Sequence, residues 1–242
     1  MTFTVVPPGI PTTRVKWALY HRLINSAFPP IDLFEDIAAP EDWLLISAGE
    51  SKTNPRLAAT IGKLDMVPAN RRIGDVGSSY VMAPFTHISL DHKGRFHDGS
   101  CGAFYAGNSF ETALFETVHH TQAFCAKTAE LPGWIADKRE LIGRIDADLT
   151  DIRIGFEALL VPDDYGPSQA FARELKAEGS NGILYPSVRH AGGTCFAAFY
   201  PDVMAIPVQG RHISYHWDGS RIDLIKDISA SKVYSISTHR VN

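Results

Sequence analysis

Four polar residues stand in otherwise apolar stretches of this 242-residue sequence. Arg95 follows Gly94, Tyr105 sits in Phe104-Tyr105-Ala106, Glu116 lies in a helical pattern, and Ser187 closes the apolar run GILYPS. Each has an ordinary reading: a solvated loop arginine, a core tyrosine with a satisfied hydroxyl, a surface glutamate off the Phe110, Leu114, Val118 stripe, and a turn serine after Pro186. Residue by residue the ordinary readings are the stronger. Two other chemistries compete for the same region. Glu116-x-x-His119, with His120 beside it, has the i, i+3 spacing of carboxylate-bridged di-iron helices, but the sequence holds one copy where such a centre uses a pair. Cys195 or Cys101 could serve as a nucleophile with one of the ten histidines as base. No local signature supports that arrangement, and Cys195 falls in TCFAAFY, where a buried, inert thiol is the commoner outcome.

The usual motif chemistry is missing. The sequence has no G-x-G-x-x-G, G-x-x-x-x-G-K-[ST], H-E-x-x-H or C-x-x-C, so glycine-loop nucleotide binding and zinc lose their sequence support, and no metal is expected. Twenty-three basic against 27 acidic residues give a net charge of -4, too little positive field to attract a nucleic acid. No apolar run approaches the ~20 residues that span a bilayer, and Met1 to Pro11 lacks a basic stretch followed by an apolar one. Three widely spaced cysteines suit a reduced, cytoplasmic protein.

The elements that must position these residues read as an α+β fold in a single domain over 1-242. The stretch Arg14 to Ala27 has helix or strand character ending at Pro29-Pro30, and Asp36 to Arg72 shows no clean period. Tyr80 to Leu90 is rich in β-formers and reads as a strand, followed by a Lys93-Gly94 turn; Phe104 to Ala106 reads as a short buried strand. Asn108 and Glu111 have capping-box spacing, and Phe110, Ala113, Leu114, Thr117 and Val118 recur at helical intervals. A second helix is expected from Ser168, after Pro167, to Gly179. The remainder is β-rich: GILYPS, TCFAAFY, VMAIPV, HISYHW and KVYSIS. Strands and helices are segregated more than alternated, which favours α+β over a doubly wound sheet.

In combination the polar residues change meaning, because Arg95, Tyr105 and Glu116 fall at intervals of ten and eleven residues across a loop, a strand and a helix. The sequence resembles the RES family, the toxin components of bacterial toxin–antitoxin pairs, named for arginine, glutamate and serine positions. The matching text is YHRL around Arg22, KGRFHDG around Arg95, AFYAGNSFETALFETVHH carrying Tyr105 and Glu116, and NGILYPSVRHAGG carrying Ser187. The resemblance runs from about Val15 to Pro201, giving a core over about 15-201, with a long insertion over about 36-90 and a β extension at the C-terminus. Phe96 stands where the family usually has tryptophan.

The resemblance implies an ADP-ribosyltransferase-like mixed β core flanked by helices, and NAD as the substrate. Glu116, Arg95 and Tyr105 would be catalytic, and Arg22, Arg95, Tyr105 and Ser187 would hold the dinucleotide. Glu116 would stabilise the positive charge left on the ribose as nicotinamide departs. The Arg95 and Arg22 forks would take the pyrophosphate, Tyr105 would face the nicotinamide ring, and Ser187 would bond its amide or a ribose hydroxyl. The resemblance further implies transfer of ADP-ribose to a host protein, with hydrolysis or phosphorolysis of NAD as the alternative, and a cognate antitoxin as partner. A non-enzymatic binding module is the reading of another class.

Overall fold

The structure, a computed structural model, describes residues 9–27, 38–50, 62–90 and 93–236. Four α-helices, α1 (Trp43–Glu50), α2 (Ser79–Thr86), α3 (Phe110–Thr128) and α4 (Gly166–Ala177), pack on one sheet among the described residues. Its eight strands are β1 (Thr12–Asn25), β2 (Phe104–Gly107), β3 (Gly133–Asp151), β4 (Gly182–Pro186), β5 (Thr194–Ala198), β6 (Val208–Trp217), β7 (Ile222–Asp227) and β8 (Lys232–Ser235). The order is β1-β2-β5-β4-β3-β6-β7-β8, with a further pairing of β1 to β3. The strands β1, β2, β5, β4 and β3 therefore close into a ring, and β6, β7 and β8 continue the sheet outward from β3. The α+β expectation holds.

Side-chain alternation explains how the sheet is covered. β4 and β5 are buried on both faces, which is why GILYP and TCFAA read as unbroken apolar runs. Leu184 and Phe196 point into a cluster with Tyr20, Phe104 and Ile145, closed by Val81, Met82 and Phe85 of α2. Their neighbours Ile183, Tyr185, Cys195 and Ala197 point the other way, under Phe171, Ala172 and Leu175 of α4. A third cluster seats Ala113, Leu114 and Val118 of α3 on Leu23 of β1 and on Ile213, Tyr215, Trp217, Ile222 and Ile225. Phe196 is fully buried, so Phe196→Ala removes about 3–5 kcal/mol of packing and transfer energy.

Several local expectations differ from what forms. Tyr80 to Leu90 is not a strand: α2 occupies Ser79–Thr86, because Val81, Met82 and Phe85 reach one core cluster only at helical spacing. Packing there overrides β propensity. The cap of α3 is Ser109, not Asn108. Its Oγ accepts the Thr112 N–H at 3.1 Å, while Asn108 Oδ1 accepts from Thr112 Oγ1 and from the Thr194 N–H. The second expected helix, α4, starts at Gly166 and ends at Ala177; Gly179 then takes φ +84, where a side chain would be strained. VMAIPV forms a short 3-10 turn and an isolated bridge from Met204 to Ile145. Arg14 to Ala27 resolves as β1, and the Pro29-Pro30 stop lies outside the described residues.

The longest strand, β3, had no sequence expectation, although Ile145, Ala147 and Leu149 are buried in alternation with exposed Arg144, Asp146 and Asp148. It is the organising strand. One edge pairs with β1 from Thr12↔Thr150 to Asn25↔Lys138, and the other takes β6 and, in parallel, β4.

Candidate active site

The ring is barely closed at one seam: β1 and β2 share a single register pair, His21↔Gly107. Over this seam lies α3, held close because any Cβ on Gly107 would come within 2.9 Å of the Thr112 side chain. A cleft of about 540 Å³ opens there, a volume in the usual range for a small-molecule site. Its wall includes His21 and Arg22 of β1, Lys93 to Arg95 of the loop before β2, Tyr105, Glu116 and His120, and Val188 and Arg189 after β4. Another hollow, of about 550 Å³, lies beside Thr12, Asp148 and Glu178, but its charges are acidic and none of the five expected residues lines it.

Four cationic side chains, Arg22, Lys93, Arg95 and Arg189, face the cleft with Glu116 as the single carboxylate among its described lining. The net charge of -4 therefore hides a local positive field that suits an anionic ligand. Glu116 turns its carboxylate inward and is only partly exposed, so its place off the apolar stripe reflects a second, polar face of α3 and not solvent.

Ser187 lies directly against Glu116. Its hydroxyl donates to Glu116 Oε1 at 2.6 Å and accepts the backbone N–H groups of Arg189 at 3.2 Å and His190 at 3.0 Å. One donor and two acceptor sites are thereby used, the whole capacity of a hydroxyl. The group orients Glu116 and has none left for a ligand in this state.

Arg22 is held by few partners. Its Nη1 donates to the Tyr105 carbonyl at 2.8 Å and its guanidinium lies 4.6 Å from the Phe104 ring centroid, but its buried Nε has no partner. Burial pushes the guanidinium down to about 10, with only tyrosines nearby to favour the charge. A largely enclosed arginine with no acidic partner among the described residues, facing a cleft, is poised for an incoming anion.

Arg95 is 6% exposed and more committed. Its Nη1 donates to the Leu159 and Val161 carbonyls at 3.2 and 2.8 Å, Nη2 reaches the Pro162 carbonyl at 3.4 Å, and the guanidinium stacks on Tyr165. Part of its fork thus anchors the 159–162 segment beside the cleft. Tyr105 likewise has its hydroxyl engaged, accepting from the Phe96 N–H at 2.9 Å and lying 2.9 Å from His97 Nδ1. Gly94 makes this possible, since a Cβ there would come within 3.0 Å of the Tyr105 hydroxyl.

Arg189 is a wall residue to which the sequence reading assigned no role, although it stands two positions from Ser187 within YPSVRH. Its Nη2 donates to the Pro162 carbonyl at 2.8 Å, and it lies 3.5 Å from Asp163. The competing chemistries gain little. Burial and the neighbouring Glu116 charge push the Cys195 thiol well up, so it stays protonated and a weak nucleophile. Glu116 and His119 are joined by no third metal-ligating side chain among the described residues.

A model of the RES domain family matches residues 70–218. The chain is 29% identical over 207 residues to the uncharacterized protein y4oC of Sinorhizobium fredii, covering 85% of this chain and 86% of that protein. A chain of the M. tuberculosis MbcT–MbcA toxin–antitoxin complex has a similar outline, with TM-score 0.44, 14% identity and coverage of 86% and 87% of the two chains. The family match spans more than half of the sequence and includes Arg95, Tyr105, Glu116 and Ser187. The chain belongs to the RES domain family.

Proposed function

We propose that the cleft binds NAD and cleaves its nicotinamide–ribose bond, passing ADP-ribose to an acceptor, a host protein in the first reading. The carrying observation is an oriented carboxylate, Glu116 held by Ser187, inside a cleft whose other charges, among its described lining, are all positive. A dinucleotide asks for that division: cations along its pyrophosphate and one anion where positive charge develops on the ribose. Arg22, whose guanidinium has only tyrosines and no carboxylate beside it among the described residues, takes a phosphate through the part that faces the cleft; Arg95 adds charge and fixes the neighbouring wall. Tyr105 walls the nicotinamide end. Ser187 positions Glu116 in the resting cleft and turns to the substrate only by giving up that bond. No metal enters the scheme.

Family membership supports a toxin working in the cytoplasm and restrained by a cognate antitoxin. An antitoxin carboxylate seated on Arg22 or Arg189 would exclude NAD by occupying the same donors. The test is incubation of the full chain with labelled NAD and cell extract, following free nicotinamide and label on protein. Nicotinamide release that is lost in Glu116→Gln, with label on a protein, is the expected result. Release with only free ADP-ribose or its phosphate would establish the NAD-degrading alternative. No release at all would sink the enzymatic reading and leave a binding module.

A further inference from the structure

Glu140 of β3 is fully enclosed and has no part in the scheme above. Enclosing a carboxylate is costly unless charges and donors meet it. His21 Nδ1 lies 2.7 Å from its Oε1, the Arg211 backbone N–H donates to Oε2 at 3.1 Å, and Arg211 Nε lies 3.5 Å from Oε2. Gly210 leaves the room, since a Cβ there would fall 2.7 Å from that same oxygen. Burial pushes the carboxyl up, but the bonds from His21 and Arg211 more than offset this, and it lies below the usual carboxylate range. An ionised carboxylate only accepts, so the proton of a neutral His21 ring sits on Nδ1 and the lone pair on Nε2. Nε2 has no partner among the described residues, and His21 forms part of the cleft wall beside Arg22, at the seam with Gly107.

We propose that His21 is the general base of the transfer step, that Glu140 is its positioning residue, and that the acceptor is an O–H group, water or a hydroxyl. This rests on the NAD-cleaving reading of the same cleft. As the ribose C1′–N1 bond breaks, its electron pair leaves with neutral nicotinamide. An oxygen lone pair of the acceptor forms the new bond to C1′, and the acceptor proton passes to His21 Nε2 and then to solvent. Glu116 and Arg22 share the cleft wall and stabilise charge without being required to take that proton. A carboxylate acceptor would have no proton to give, so a base here argues for a protic acceptor, of which an O–H group is the one proposed.

The decisive variant is His21→Gln in the full chain, because its amide can keep the hydrogen bond to Glu140 but cannot act as a base. Nicotinamide release is measured beside NAD affinity, the latter in a Glu116→Gln background to stop turnover. The expected result is unchanged affinity with turnover about 100-fold lower. His21→Ala should regain turnover with added imidazole, and Glu140→Gln should lower kcat with KM unchanged. Free ADP-ribose identifies water as the acceptor, label on protein that resists both hydroxylamine and mercuric ion identifies a hydroxyl, and label released by either overturns the O–H assignment. Full turnover of His21→Gln, or a loss that tracks NAD affinity and is not rescued by imidazole, overturns the proposal. A wild-type chain inert toward NAD sinks both readings, whereas an active wild type with an equally active His21→Gln sinks the base alone.

Discussion

Replacing Arg22 by methionine should leave the protein about as stable as before while emptying the cleft of its ligand. Burial holds the guanidinium at about 10, well below its ordinary value, which corresponds to about 3 kcal/mol of burial cost carried by its charged form. Its Nε is sealed from solvent although other parts of the side chain keep some access. Methionine removes that cost and fills similar space. Against the gain stand the lost bond to the Tyr105 carbonyl, about 1.5–3 kcal/mol for a charged donor, and the contact with Phe104, about 0.5–2 kcal/mol. The opposing contributions nearly cancel, to within about 2 kcal/mol, so the melting temperature should move by less than ~8 °C in a chain of this size. Removing one partner of a buried charge contact costs about 2–5 kcal/mol in binding, so NAD affinity should fall at least ~30-fold. Thermal melts give the first quantity, and calorimetric titration of NAD in a Glu116→Gln background gives the second. A variant that unfolds much earlier, or one that binds NAD as the parent does, would refute the view of Arg22 as a charge of little net worth to stability that is retained for an anion.

Ser187→Ala should lower turnover about tenfold or more by freeing Glu116, and cost about 1–3 kcal/mol through the N–H groups of Arg189 and His190 left unpaired; kinetics and denaturant melts separate the two effects. Burial, then Arg189 and His120, hold His119 down to about 4 against an ordinary 6.5. The unfolded chain therefore takes a proton first as pH falls, so this contribution to stability is full above pH ~6.5 and is lost toward pH ~4. His119→Gln should flatten that part of the stability curve, and an unchanged slope would show that other groups govern it. NAD cleavage should survive chelators and thiol reagents, since the Cys195 thiol is buried and held protonated. Loss with a chelator, restored by one metal, would revive the Glu116–His119 pairing.

The residues that line the candidate cleft were legible in the sequence as types at intervals; what they do there was less so. Arg22, Arg95, Tyr105 and Glu116 line one cleft, and Ser187 meets Glu116 across 71 positions of sequence. Local chemistry also marked α3 and α4, whose apolar faces repeat at helical spacing, and β4 and β5, whose unbroken apolar runs reflect burial on both faces. It misled over Tyr80 to Leu90, where side chains suited to a strand are used in a helix because the core lies on one side of α2.

Two outcomes belong to the tertiary structure alone. One is commitment: the Arg95 guanidinium is partly taken by carbonyls of 159–162, and the Ser187 hydroxyl, which already accepts two N–H groups of its own turn, spends its proton on Glu116, because segments distant in sequence deliver those acceptors. The other is charge. A chain of net charge -4 carries a positive cleft, since composition sums charges without position, whereas the seam between β1 and β2 gathers Arg22, Lys93, Arg95 and Arg189 around Glu116, the one carboxylate among the described lining. Residue identity and spacing settled which groups were present; long-range strand pairing, which no local pattern encodes, decided which of them meet and which N–H groups remain unpartnered.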